Sequence, residues 1–300
     1  MFDSILVPLD GSAFAEAALP PAMTIASGGN GSLDLVMVQD PVPAYGYGSL
    51  EEQPQAWRAE YLAAVEEELG SRLQDRVQYT LLVGSVTAEL ERHAEETDPD
   101  LLVMATHGRG PFSRFWLGSV ADHIVRHSTY PVLLIRPGES QQVDVSARTS
   151  FDHILVPLDG SEEGETILDV AGPFGELFDA RYTLTRVVHY PAEVVSSYMP
   201  DTVHISEEIV ESGKAEAERY LEGVAGTLRD AGYQVDVDVR VDVHPASGIQ
   251  RAAEEVGADV VALATHGRGG MERTLVGSVA DKLIRSTHLP TLVIRPRPSS

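Results

Sequence analysis

"ATHGRGPFSRFWLGSVADHIVRHSTYPVLLIRP" occupies Ala105–Pro137, and "ATHGRGGMERTLVGSVADKLIRSTHLPTLVIRP" occupies Ala264–Pro296. In each stretch a glycine, Gly108 or Gly267, is followed by nine residues and then by Gly-Ser, at Gly118-Ser119 or Gly277-Ser278. The first copy is entered from the apolar run "LLVMAT" and left through "GSVADHIVRHS", which has helical spacing; a second apolar run, "VLLIR", closes it. Strand, glycine-rich loop, helix and strand in that order describe a parallel βαβ unit. Glycines in such a loop let backbone approach a ligand closely, and the amides of a helix start favour an anion.

Working outward, the segment is part of a duplication. "FDSILVPLDGS" at Phe2–Ser12 returns as "FDHILVPLDGS" at Phe151–Ser161, an offset of 149, whereas the glycine segments are offset by 159. About ten extra residues therefore lie between the two motifs of the second copy, and Tyr190 to Gly213 is the expected place. The halves are residues 1–138 and 151–300, with residues 139–150 as a linker around the polar "GESQQVDVSART" of Gly138–Thr149. Within the first half "SILVPL", "LDLVMV", "YTLLV", "LLVMAT" and "VLLIR" are continuously apolar, as strands buried on both faces are. Between them Tyr61, Leu62, Val65 and Leu69 recur at helical spacing. The expected fold class is α/β, with two tandem doubly wound domains, each holding a five-stranded parallel sheet.

Composition narrows the function. The chain has 300 residues, a formal charge of −24, no cysteine, and lysine only at Lys214 and Lys282. Such an acidic surface argues against nucleic acid as a partner. No apolar stretch reaches the length of a membrane span and no basic leader precedes one, so a cytoplasmic protein without a membrane partner is expected. Thiol catalysis is excluded, and HExxH, GxSxG and GxxxxGK[ST] are all missing, so no metal or catalytic residue is assigned.

Loops at the carboxyl ends of parallel strands are where such folds hold ligands. Arg109 and Arg114, with Arg268 and Arg273, concentrate positive charge in the glycine loops, which suits phosphate. Ser119 and Ser278 read as helix caps answered by Asp122 and Asp281 three residues on. At the end of the first strand of each half, Ser12 and Ser161 read as N-caps. Asp10 and Asp159 read equally well as acceptors for ribose or an adenine amino group and as Asx-turns. His107 and His266 read as loop residues rather than bases. The glutamate-rich "AAVEEELGSR" and "HAEETDPD" read as solvated helix faces.

Together these residues resemble the universal stress protein family in its tandem-domain form. The resemblance runs from the opening "ILVPLDGS" to the closing "PVLLIRP" and includes a motif similar to Gly-x2-Gly-x9-Gly-Ser/Thr in duplicate. It implies flavodoxin-like or Rossmann-like domains, an ATP-binding stress regulator with little turnover, a homodimer, and a regulatory protein partner. ATP, with or without Mg2+, is the implied cofactor. Carried over by position, the resemblance places phosphate-contacting backbone at Gly108, Gly118, Ser119 and Val120, and at Gly267, Gly277, Ser278 and Val279. His107 and Arg109, with His266 and Arg268, fall in the same loops and join the binding set. Asp10 and Asp159 would face the adenosine end, and Val38 and Val187 would read the adenine edge through their backbones. The motif's first glycine is replaced by Ala105 and Ala264, which would matter if that position needs positive φ. Gly84 is matched by Val243 in the second half, which leaves the second site the weaker expectation. An enzyme transferring the nucleotide's phosphate and a ligand-free scaffold are the rival readings.

Overall fold

The computed structural model describes residues 2–40, 55–106, 117–138, 143–145, 147–189, 200–265 and 276–296. The chain divides into two compact units, Met1–Thr149 and Ser150–Ser300.

In the first unit the elements are β1 (Ser4–Leu9), α1 (Ala13–Glu16), α2 (Leu19–Gly29), β2 (Ser32–Gln39), α3 (Gln55–Leu73), β3 (Val77–Val83), α4 (Val86–Thr97), β4 (Leu101–Ala105), α5 (Ser119–His127) and β5 (Val132–Ile135). All pairings are parallel, in the order β3-β2-β1-β4-β5. The second unit repeats this with β6 (His153–Pro157), α6 (Glu162–Glu165), α7 (Leu168–Glu176), β7 (Arg181–His189), α8 (Pro200–Asp230), β8 (Gln234–Asp242), α9 (Pro245–Val256), β9 (Val260–Ala264), α10 (Ser278–Ser286) and β10 (Thr291–Ile294). Its strands run parallel in the order β8-β7-β6-β9-β10. The α/β class and the five parallel strands per half are as the apolar runs and the resemblance implied.

Parallel strands must be joined by crossovers, and helical crossovers bury both faces of the sheet. All residues of β4 and β5 are accordingly buried. Each half starts on a buried phenylalanine, Phe2 and Phe151, and in the second half Phe151 packs against Phe174 and Phe178 at 5.1 Å between ring centroids. An aspartate just before the fourth strand of each half pins the first strand's entry. Asp100 accepts from the amides of Asp3 and Ser4, and Asp259 from those of Asp152 and His153.

The extra residues of the second half lengthen one connection. Tyr61 donates to Glu16 across 45 residues, and its counterpart Tyr220 donates to Glu165 across 55. The insertion thus falls between Glu165 and Tyr220, and α8 has 31 residues where α3 has 19. One expectation needs correction: "HAEETDPD" is not wholly a solvated face. His93 is buried and its Nε2 lies 2.6 Å from Asp34, which also accepts from Thr80. Among the described residues no helix is long and apolar enough to cross a membrane.

Candidate functional site

Strand order reverses at β1 in the first unit and at β6 in the second: the chain steps outward to β2 and β3, then returns to the other side for β4. In doubly wound sheets this switch point, beyond the carboxyl ends of β1 and β4 or of β6 and β9, is where ligands bind. Asp10 follows β1 at this place, and Asp159 follows β6. Each carboxylate oxygen Oδ1 accepts from a serine amide two residues on, Ser12 at 2.9 Å and Ser161 at 3.0 Å, and from the same serine's hydroxyl. These are Asx-turns, made possible by Gly11 and Gly160 at φ 75° and 84°, where a side chain is disfavoured. The serines also cap the next helix as expected: Ser12 accepts from the Ala15 amide and Ser161 from that of Gly164. One oxygen therefore shapes the turn. In Asp10, Oδ2 takes no part in it.

The glycine-serine pairs stand at the neighbouring strand's exit. Gly118 donates to the Thr106 carbonyl at 2.7 Å, and Gly277 donates to that of Thr265 at the same distance. The strand exit and the helix start therefore stand side by side in each half. The cap assignment shifts by one residue: Gly118 and Gly277 are the N-caps, while Ser119 and Ser278 are the first helical residues. Asp122 and Asp281 are also held otherwise than a capping box requires. Arg126 bonds Asp122 through Nε at 2.7 Å and through a second nitrogen at 3.0 Å, and Arg285 bonds Asp281 at 2.9 Å. The physical reason is a charge-assisted bond one helical turn on, two-pronged at Arg126, which outcompetes a single return bond to backbone. It also neutralises a carboxylate at the positive end of the helix. The first intrahelical bond runs from the Asp122 amide to Gly118, so the amides of Ser119, Val120 and Ala121 have no acceptor within the helix.

Both capping glycines have ordinary extended backbone, φ −59° and −55°. Their value is space: a Cβ on Gly277 would come within 3.2 Å of the Thr265 carbonyl. Ala105 and Ala264 are strand residues in register with Ile135 and Ile294, and neither has positive φ. Alanine at the motif's first glycine therefore carries no backbone strain.

Val38 and Val187 complete the described part of the site. In a strand, successive residues direct their amide and carbonyl to alternate neighbours. The Gln39 carbonyl accepts from Gly84, beyond the end of β3, so the Val38 backbone faces β1. The ladder between β1 and β2 ends at Leu9↔Met37, whose last bond is donated by the Val38 N–H, which leaves the Val38 C=O beside Asp10, past the last paired residue. In the second half Thr185 accepts from Leu158, and Val187, two residues on, faces the same way beside Asp159. The structure thus brings Asp10, Val38, Ala105, Gly118, Ser119 and Val120 to one strand edge, and their counterparts Asp159, Val187, Ala264, Gly277, Ser278 and Val279 to the other. His107, Gly108, Arg109 and Arg114, with His266, Gly267, Arg268 and Arg273, lie outside the described residues.

Gly84 has a reason within the protein: a Cβ there would meet the Glu89 side chain at 2.7 Å. In the second half the glycine moves to the helix, since Gly248 holds the position of Glu89 and packs on Val187 and Asp242. The exchange of Gly84 for Val243 is a local repacking.

Sequence reasoning missed the tyrosine at each site's flank. Tyr220 bonds Glu165, lies beneath the Arg186 guanidinium at 5.1 Å, and has its phenol pushed well above the ordinary range, first by burial and then by Glu165. Only the repeat of Tyr61 and Tyr220 could have signalled them. A separate hollow of about 480 Å³, lined by Glu66, Gly70, Asp75 and Val77, sits at the amino end of β3, the wrong edge for this site.

The chain belongs to the universal stress protein family, whose profile matches residues 1–136 and 150–295. A universal stress protein of Staphylococcus epidermidis is 30% identical over 148 residues, which are 49% of this chain and 85% of that protein. One from Staphylococcus aureus is 29% identical over the same length and shares. Among solved structures, a universal stress protein from Archaeoglobus fulgidus superposes with a TM-score of 0.66 at 18% identity, covering 98% of this chain and 99% of its own. A functionally unknown protein from Pseudomonas aeruginosa matches with TM-score 0.66 and 18% identity, over 98% of this chain and 93% of its own. At those identities the likeness establishes the fold.

Proposed function

We propose that each half binds an adenine nucleotide, ATP foremost, and that occupancy is what a regulatory partner reads. One observation carries this: in both halves a helix amino end with three uncommitted amides, opened by glycine, stands beside strand-end groups that the sheet leaves unpaired, the Val38 carbonyl in the first half and the Val187 N–H and carbonyl in the second. The amides of Ser119 and Val120, and of Ser278 and Val279, suit phosphate oxygens, because their N–H groups and the helix dipole both favour negative charge. Val187 offers one donor and one acceptor, the pair an adenine edge needs, and Val38 offers the acceptor for an adenine amino group. Asp10 and Asp159 would accept from ribose hydroxyls. Magnesium would arrive on the phosphates themselves.

Calorimetric titration of the purified chain with ATP tests the reading. Two equivalents are expected, one lost in Gly118→Asp and one in Gly277→Asp, because a carboxylate there would stand against the phosphates. Each affinity should fall at least tenfold, about 1.4 kcal/mol or more. Unchanged binding in both variants would remove the site. Following ADP release with Mg2+ then separates a binding protein from a phosphate-transfer enzyme.

A further inference from the structure

The two units are built alike, yet the last turns of α5 and α10 differ in chemistry. On α5, His123 and His127 stand one helical turn apart with rings stacked at 4.2 Å between centroids and 25° between planes. Glu91, reaching across from α4, lies 2.7 Å from His123 Nε2. His127 Nδ1 is 2.8 Å from the His123 carbonyl, which can only accept, so the proton is on Nδ1 and the Nε2 lone pair is free. A bond of this kind, from the other ring nitrogen to a backbone carbonyl, orients metal-ligating histidines. One potential ligand atom from each of Glu91, His123 and His127 lies within 4.8 Å of the others. Around tetrahedral Zn2+, with bonds of about 2.0 Å, ligand atoms stand roughly 3.3 Å apart, within reach of small side-chain rotations.

From this cluster we infer a binding site for a zinc-like divalent ion in the first unit, held by Glu91, His123 and His127 and independent of the nucleotide reading. Two imidazoles and one carboxylate select late first-row ions over Mg2+ and Ca2+, which take oxygen ligands. The ion replaces the proton between His123 Nε2 and Glu91, and the imidazole carries its proton on Nδ1 instead. Three protein ligands at a partly exposed place leave the fourth position to water.

The second unit supplies a built-in control. At the equivalent positions it has Gln250, Lys282 and Ser286, with Gln250 donating to Ser286 at 2.8 Å. An amide, an ammonium and a hydroxyl on the same scaffold form no transition-metal site. The arrangement on α5 is therefore not demanded by the fold.

The test uses the full chain, stripped with a chelator and free of nucleotide, in equilibrium dialysis against Zn2+ and in titration with Co2+ followed by visible absorption. The native chain should take up one equivalent more than His127→Ser, which copies the second unit at an exposed position, and should show the intense bands of four-coordinate Co2+. Glu91→Gln should weaken Zn2+ binding at least tenfold. Equal uptake and affinity in the native chain and His127→Ser, or a weak six-coordinate Co2+ spectrum, would overturn the site.

Discussion

His153 is a titratable side chain placed where charge is unwelcome. It is 4% exposed, its Nε2 lies 2.8 Å from the Thr183 hydroxyl, and burial, reinforced by the charge of Arg181, lowers its pKa below the ordinary histidine value. The unfolded chain takes up this proton first, near pH 6.5. Stability from the neutral ring is thus fully present above that pH and is lost as pH falls below it, with a slope of at most about 1.4 kcal/mol per pH unit. Denaturant midpoints measured from pH 7.5 to 5.5 should fall for the native chain and fall less for His153→Gln, which keeps a polar partner for Thr183 but does not titrate. Parallel slopes would show that His153 does not carry the effect. Such a residue is invisible to sequence reading because its environment comes from Thr183, 30 residues away. Ser12 and Ser161 were legible, since a cap and its amide lie three residues apart. At Ser119 the local pattern misled, because Asp122 had a stronger partner in Arg126.

At the scale of elements, the duplication shows how packing partners exchange volume. Gly175 on α7 faces Tyr182 on β7, and a Cβ there would come 2.6 Å from the tyrosine ring carbon Cζ. The ring cannot retreat: Tyr182 is buried and its hydroxyl donates to the Gly172 carbonyl at 2.8 Å. In the first unit the matching residues are Ala26 and Leu33, as the registers Ile5↔Leu33 and Ile154↔Tyr182 show. Gly175→Ala should therefore destabilise by about 1–3 kcal/mol, the usual cost of overpacking a core. Adding Tyr182→Leu should recover most of it by rebuilding the first unit's pair, so a double-mutant cycle should give a coupling energy of favourable sign. Simple additivity would contradict a shared volume. The strands and helices themselves were legible from apolar runs and periodicity, and the ten-residue excess from two unequal offsets. Pairings between elements, such as Asp34 with His93 or Tyr61 with Glu16, were not, because they depend on register across 59 and 45 residues.

For the molecule as a whole, charge sets the terms. There are 46 acidic and 22 basic residues, and much of the positive charge is committed locally, as in Arg92 with Glu89 and Glu96 or Arg240 with Asp238 and Glu255. What remains is a surplus of 24 negative charges distributed over the chain, a self-repulsion that opposes compaction. Salt acts on the two terms unequally. Ion pairs in contact are shorter than the Debye length even at 1 M, about 3 Å, whereas surplus charges separated by more than about 10 Å are screened already at 0.1 M. Exposed pairs contribute little in any case, at most about 1 kcal/mol each. Repulsion is therefore the term that salt removes, and the melting temperature should rise by several degrees between 0.02 and about 0.5 M sodium chloride. Sodium chloride is preferred to sulfate, which strengthens apolar burial by a different route. Nucleotide must be absent, since a bound ligand raises the melting temperature by mass action alone. A fall with added salt would mean that the paired charges, and not the surplus, dominate the stability of this fold.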